Sequence, residues 1–253
     1  MVLKSLDRLW FCQPVARVRA AAAQAADLVA PTWCVGCRAA GTVLCQSCRG
    51  DLRLLTRYPF RAEDPAEALP LLPDLSVLPV LSAAEYTTLV AEVVLAFKDH
   101  ERVPLGHVLA PALGRAVTAA VRLCRSEEIL LVWPPPRQRS QLRRGRHPLG
   151  ELIGQIGLPP GVAPAGHFVG HRRLIRGFHN AGLGQKTRSK RARRRAEHNF
   201  RLAPGAQHRL RGAEVVLVDD VLTTGATLGS LYRQLTASGA QVRAAAVLAA
   251  TPR

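Results

Sequence analysis

The sequence predicts an α/β protein: a parallel β-sheet flanked by helices, preceded by a small four-cysteine metal-binding unit. Three observations carry this reading. Val215 to Val218 is β-branched and almost continuously apolar, as a strand buried on both faces of a parallel sheet would be. After a short loop, Leu228, Leu231, Tyr232 and Leu235 fall at i, i+3, i+4 and i+7, one face of a helix. Near the N-terminus stand two C-x-x-C pairs, Cys34-Val35-Gly36-Cys37 and Cys45-Gln46-Ser47-Cys48, with seven residues between them.

The elements follow in chain order. Residues 1–30 read as a weakly amphipathic helical segment ending before Pro31. Residues 31–56 form the cysteine unit. Two C-x-x-C pairs at this spacing suit a tetrahedral four-thiolate zinc site of Cys34, Cys37, Cys45 and Cys48, each pair forming a tight knuckle. Four thiolates leave no open position, so the expected role is structural, and binding could supply on the order of 10 kcal/mol to fold so short a segment. A pair of disulfides is the alternative, but no export signal supports an oxidising compartment. Cys12 and Cys124 lie outside the pattern and read as thiols without a role.

Residues 57–80 carry five prolines, Pro59, Pro65, Pro70, Pro73 and Pro79, and read as a linker. Residues 81–253 read as the main domain. Tyr86, Leu89, Val90, Val93, Val94 and Phe97 form a helical stripe, with Lys98 immediately after it. Leu109, Leu113, Val117 and Val121 predict a second helix, with Pro111 near its first turn. Ile129 to Val132 reads as a strand running into Trp133-Pro134-Pro135-Pro136. Leu149, Leu152, Ile153 and Ile156 repeat helical spacing, and Val242 to Ala249 is a final strand after Gly239. Helix and strand alternate, which gives the parallel sheet.

The 253 residues can bury a real core, and the formal charge of +17 favours polyanionic partners. A general arginine bias would explain the charge equally well if it were spread evenly. It is not: 16 of the 35 Lys and Arg residues fall between Arg137 and Arg201, against only Glu151 and Glu197. The densest part, Lys186 to Arg195, contains Arg188, Arg191, Arg193, Arg194 and Arg195. This segment, 137–201, could neutralise a pyrophosphate, bind a nucleic-acid backbone, or form a solvated loop. Single-stranded binding usually adds aromatic platforms, and only Phe178, Phe200 and Trp133 offer themselves. No apolar run approaches the roughly 20 residues a membrane span needs. Lys4, Asp7 and Arg8 are not followed by the apolar core of a secretory signal. A cytoplasmic protein is expected.

The most specific stretch is Glu214 to Leu228, in which the apolar strand ends in Asp219 and Asp220 and a Thr/Gly loop leads into a helix. This places Thr223, Thr224, Gly225, Ala226 and Thr227 at a helix N-terminus. Free N–H groups and the positive end of the dipole make that a phosphate site. Carboxylates beside a phosphate would repel it, but they suit ribose hydroxyls or a divalent cation. Neighbouring side chains on a strand point to opposite faces, so the two aspartates should serve different partners.

The stretch resembles the phosphoribosyl-diphosphate (PRPP) loop of type I phosphoribosyltransferases. In those enzymes the acidic pair contacts ribose hydroxyls and the Thr/Gly loop holds the 5′-phosphate. The whole chain, from about Leu28 to Ala249, resembles the ComF family, phosphoribosyltransferase-fold proteins linked to natural competence. Matching features are Pro31-x-x-Cys34-x-x-Cys37, Tyr86 with Lys98 after its helix, the proline-rich strand end at Trp133 to Pro136, Arg144-Gly145 and the Val215 to Leu228 loop. The chain departs from the family's Arg-Gly-Phe-Asn-Gln, reading Arg146-His147-Pro148 after Arg144-Gly145. The family's later Gln-x-Gly-Leu could be Asn180 to Leu183, with Gln185 as another candidate.

The resemblance implies a type I phosphoribosyltransferase-like sheet, a ribose-5-phosphate ligand such as PRPP, and single-stranded DNA handling during DNA uptake. An active enzyme would be a Mg2+-dependent phosphoribosyltransferase in which Asp219 and Asp220 hold the ribose and Lys98, Arg137 or Arg139 meets the leaving pyrophosphate. Arg143, Arg144 and the arginines of 188–195 are further candidates for pyrophosphate or nucleic-acid contacts. No segment reads as a dedicated hood for an acceptor base, although the cysteine unit or the basic segment could supply one. A third possibility is a scaffold docking onto a helicase or an uptake channel.

Overall fold

The computed structural model describes residues 32–64, 66–99, 103–136, 146–171 and 200–252. The helical reading of 1–30, Cys12, Arg137, Arg139, Arg143, Arg144, Phe178 and the arginine-rich run of 188–195 lie outside the described residues. The chain divides into two units, Met1–Asp51 and Leu52–Arg253.

In the first unit, the chain around the first C-x-x-C folds back on itself. The Cys34 N–H donates to the Ala39 carbonyl at 2.7 Å and the Val35 N–H to the Val43 carbonyl at 2.9 Å. Arg38 (φ 63°) and Gly41 (φ 81°) turn the chain in the left-handed region. The second pair is built differently from the knuckle its spacing predicts. Cys45 immediately precedes helix α1 (Gln46–Leu55), and Cys48 lies in its first turn.

The second unit is an α/β domain around a six-stranded sheet of order β1-β2-β8-β7-β3-β4. The strands are β1 (Phe60–Arg61), β2 (Val80–Ser82), β3 (Ile129–Val132), β4 (Val162–Pro164), β7 (Glu214–Leu222) and β8 (Gln241–Ala250). Every pairing is parallel except β1 with β2. A separate antiparallel pair, β5 (Val169–His171) with β6 (Phe200–Leu202), brackets residues 172–199, which lie outside the described residues.

The helices are α2 (Thr88–Asp99), α3 (Gly106–Val121), α4 (Pro148–Gly154), α5 (Ala206–Leu210) and α6 (Ala226–Thr236). The predicted stripes face inward: Val90, Val93, Val94 and Phe97 of α2, Leu109, Leu113 and Val117 of α3, and Leu228, Leu231 and Leu235 of α6 are all buried. Pro111 is not in a first turn, because α3 begins at Gly106. It sits in the helix interior on the exposed face, where solvent can meet the carbonyl that its missing N–H leaves unpaired.

β7 and β8 form the middle of the sheet, and their apolar runs are buried on both faces. Val215 and Leu217 share one core with Ala245 and Val247 and with Leu228, Leu231 and Leu235 of α6. Val216 and Val218 alternate to the opposite face. Ala244, Ala245, Ala246, Ala249 and Ala250 of β8 are poor strand formers by propensity, yet all are buried. Ala245 and Ala250 face the α6-side core, and the small side chains of Ala244 and Ala246 let α3 lie directly on the other face of this strand.

Residues 57–80 are more than a linker. Phe60 and Arg61 pair with Ser82 and Leu81. Glu63 accepts the Val80 N–H at 2.8 Å and pairs with Arg61. Ala62, Ala66 and Leu78 are buried in the α6-side core, with Leu69 and Leu72 packed against it. The prolines punctuate a strap that is pinned to the domain along much of its length.

Candidate functional site

The carboxyl ends of β3 and β7 set the site's shape. β3 pairs with β7 only as far as Val132 opposite Leu217, because the chain then enters Trp133 and three prolines that have no N–H to continue the ladder. β7 runs on, held by β8 alone through Asp219↔Val247 to Leu222↔Ala250. Asp219 and Asp220 therefore lie on an overhang beside a notch, not at the end of the strand. Open α/β sheets bind ligands at this edge.

The two carboxylates take different surroundings. Asp219 is buried at 9% exposure, and its Oδ1 accepts the Asp220 N–H at 2.8 Å. Asp220 is half-buried, and its Oδ2 lies 2.7 Å from Lys98 Nζ. Lys98 lies in the last turn of α2, where a cation is favoured by the dipole. The residue that the sequence offered for a leaving pyrophosphate is thus brought into direct contact with the acidic pair, 122 positions away along the chain (220 − 98).

The Thr/Gly loop is at a helix N-terminus. Gly225 caps α6 in the left-handed region (φ 77°), and Thr223 and Thr224 are exposed. The Ala226 N–H reaches Thr224 Oγ1 at 3.4 Å, and Thr227 lies in the first turn. The close approach that needs a glycine here comes from the protein itself. A Cβ at Gly225 would lie 2.8 Å from the Leu69 side chain, and one at Gly229 would lie 2.7 Å from the Ala68 carbonyl. The Ala68 N–H also donates to the Thr224 carbonyl at 2.8 Å. The strap braces the loop from one side and leaves its threonines open.

Three further residues stand near this edge that pattern reading did not single out for function: Arg146, His147 and Glu151. The Arg146 guanidinium makes two 3.0 Å bonds from Nε to the Glu151 carboxylate and a 3.3 Å bond from Nη1 to the Phe97 carbonyl. The Glu151 carboxyl is held below its ordinary value chiefly by that hydrogen bonding. The His147 ring donates to the Pro134 carbonyl and feels the charges of Glu151 and Asp220. Burial is the stronger influence and holds its pKa below the ordinary imidazole value, so the neutral ring is favoured at neutral pH. The sequence signals for these residues were the place of Arg146 and His147 directly after Arg144-Gly145, and Glu151 as one of two acids in the basic segment.

Trp133 and Phe200 are not free stacking platforms. Phe200 is buried, and the Trp133 indole lies so close to Gly166 that a Cβ there would fall 2.1 Å from the ring. Among the described residues the open aromatics are Trp33, Phe60 and Tyr58, the last with the Arg57 guanidinium 5.1 Å from the centre of its ring.

In the first unit, the sulfurs of Cys34, Cys37, Cys45 and Cys48 all lie within 4.8 Å of one another. Cys37 and Cys45 are 3.6 Å apart. Tetrahedral zinc with bonds of about 2.3 Å holds its sulfurs roughly 3.8 Å apart, so the cluster fits such an ion. Burial opposes ionisation of Cys34, but backbone N–H groups of Cys45, Cys37 and Gly36 outweigh it and bring the thiol down to about 6. Cys48 moves the other way, pushed up to about 12 by burial and by the sulfurs around it. The cluster holds its first thiolate readily and its last only against a compensating cation. The four cysteines could bind a metal ion such as zinc.

No protein-family model matches the chain, and a search of curated proteins returned no match. Among the described residues, no helix is long and apolar enough to cross a membrane.

Proposed function

We propose that this is a ComF-like protein with a type I phosphoribosyltransferase-like domain, which binds PRPP or another ribose-5-phosphate ester at the β7–α6 junction and handles single-stranded DNA in DNA uptake. One observation carries the ligand reading: an acidic pair on a strand overhang leads directly into a glycine-capped helix N-terminus with exposed threonines. The first turn of α6 and the hydroxyls of Thr223, Thr224 and Thr227 suit the 5′-phosphate. The carboxylates suit the ribose hydroxyls, which donate hydrogen bonds that a phosphate cannot. Lys98 offsets one negative charge of the pair and so lowers the repulsion of an anionic ligand.

The acidic pair does not make a Mg2+ site alone. Asp220 is held by Lys98 and Asp219 accepts an N–H, so a six-oxygen shell would come largely from the ligand's diphosphate and water. The cysteine cluster we read as structural zinc, with four thiolates and no position for a substrate. In the second reading the same site transfers the phosphoribosyl group: an acceptor displaces pyrophosphate at the anomeric carbon, and Lys98 meets the departing charge. The position of Lys98 at the acidic pair favours it.

Thermal melting tests the ligand reading. PRPP with Mg2+ at a hundredfold its Kd should stabilise the protein by about 2.7 kcal/mol. Asp219→Asn with Asp220→Asn should cut that gain to about 1.4 kcal/mol or less at the same ligand concentration, and no gain in the wild type would sink the reading. Turnover of PRPP to pyrophosphate across a panel of acceptors separates binding from transfer. For the nucleic-acid role, affinity for a labelled single-stranded oligonucleotide should fall with salt, with a slope of about −0.7 per phosphate contacted. It should also drop when Arg188, Arg191, Arg193, Arg194 and Arg195 become Ala, and undiminished binding would show that the arginine run is not the site.

A further inference from the structure

We infer that Arg146 is a positioning residue for the proposed site: it grips the end of α2 so that Lys98 is held on Asp220. The inference rests on the ribose-phosphate reading for its purpose, but not for its geometry. Arg146 is 12% exposed at its side chain and is fixed at one end by Glu151. At the other end its Nη1 bonds the Phe97 carbonyl, and its guanidinium carbon lies 4.8 Å from the centre of the Phe97 ring. Phe97 itself is 1% exposed and is the residue immediately before Lys98.

Each contact has a physical reason. Phe97 lies in the last turn of α2, where carbonyls lack intrahelical partners and where a cation is favoured. The planar guanidinium can bond a carboxylate, bond a carbonyl and stack on a ring at once, which an ammonium cannot. Lysine has a long flexible stem, so an ion pair at its tip is favoured when its root is held within reach of the partner. Arg146 fixes the root. The sequence departs from the ComF pattern at this residue, where that pattern has Phe and this chain has the cation that packs on Phe97.

The chain contains only four lysines, Lys4, Lys98, Lys186 and Lys190, which makes the test direct. Reductive methylation with 13C-formaldehyde keeps their charge. The Lys98 methyl resonance is identified by its loss in Lys98→Arg. In the wild type Lys98 should titrate above the other three lysines, and Asp220→Asn should bring it down to them. Arg146→Met and Arg146→Lys should both move it part of that way, because neither offers the fork. The milder Arg146→Lys decides the matter if Arg146→Met does not fold. An unchanged Lys98 titration in the folded Arg146→Lys protein overturns the inference. Adding PRPP with Mg2+ to the wild type then tests the ribose-phosphate reading separately. A Lys98 resonance that does not respond sinks that reading, while the response to Arg146→Lys still decides the grip. Where PRPP binds, Arg146→Lys should weaken it by roughly tenfold, and by much less in a Lys98→Met background.

Discussion

The cysteine unit and the sheet domain reach order by opposite means. Around Cys34, Cys37, Cys45 and Cys48 the chain has a short turn, the start of one helix and few buried apolar side chains, among them Val35 and Leu44. The sheet domain buries nearly all of β7 and β8 and three helical stripes. One region gathers four sulfurs that could bind a cation, and the other buries apolar area removed from water. The polar groups of the proposed ligand site can therefore sit at the rim of the sheet domain without holding the fold together.

That contrast predicts a graded set of outcomes. The largest concerns the metal. Chelation, or Cys45→Ser with Cys48→Ser, should remove on the order of 10 kcal/mol of binding free energy from the first unit. Hydrogen exchange should show protection lost at the amides of Cys34 and Val35 while β7 and β8 keep theirs. Equal loss in both regions would break the comparison. In the sheet domain, Leu217→Ala should cost about 2–5 kcal/mol by chemical denaturation, since the side chain is fully buried in the central strand.

Gly225→Ala should cost about 1–3 kcal/mol from the left-handed φ alone, with the Leu69 contact adding to it. Leu69→Ala in the same protein should return the part due to crowding. The smallest effect is a pH dependence. His147 is held below its ordinary value of 6.5, so the folded state prefers the neutral ring. Its contribution to stability is complete above pH 6.5 and is lost as pH falls through the lower folded value. His147→Gln should flatten the melting temperature as pH falls below 6.5, leaving the carboxylate losses of Glu151 and Glu214 below the ordinary value of 4.5.

What was legible in the sequence was local. Val215 to Val218, the stripe of Leu228, Leu231 and Leu235, and the two cysteine pairs each express one element's geometry within a few residues. The run of Ile129 to Val132 also falls where β3 does. The strap was hidden because its prolines read as breaks while the residues that pin it, Glu63, Ala66 and Leu69, follow no period. The helix under the second cysteine pair was hidden because the metal spacing alone fits a knuckle equally well. Lys98 could be named as a candidate, but its contact with Asp220 depends on how α2 meets β7. Arg146 was missed for the same reason: its partner Phe97 is 49 residues away, and neither residue type announces the pairing.

The central claim is that the β7–α6 junction is a ribose-phosphate site, and calorimetric titration tests it most directly. PRPP with Mg2+ should bind the wild-type chain at a single site, and should lose affinity by roughly tenfold or more in Asp219→Asn with Asp220→Asn, while the double variant melts at a similar temperature. Equal binding by both proteins, or no heat from the wild type at millimolar ligand, would contradict it.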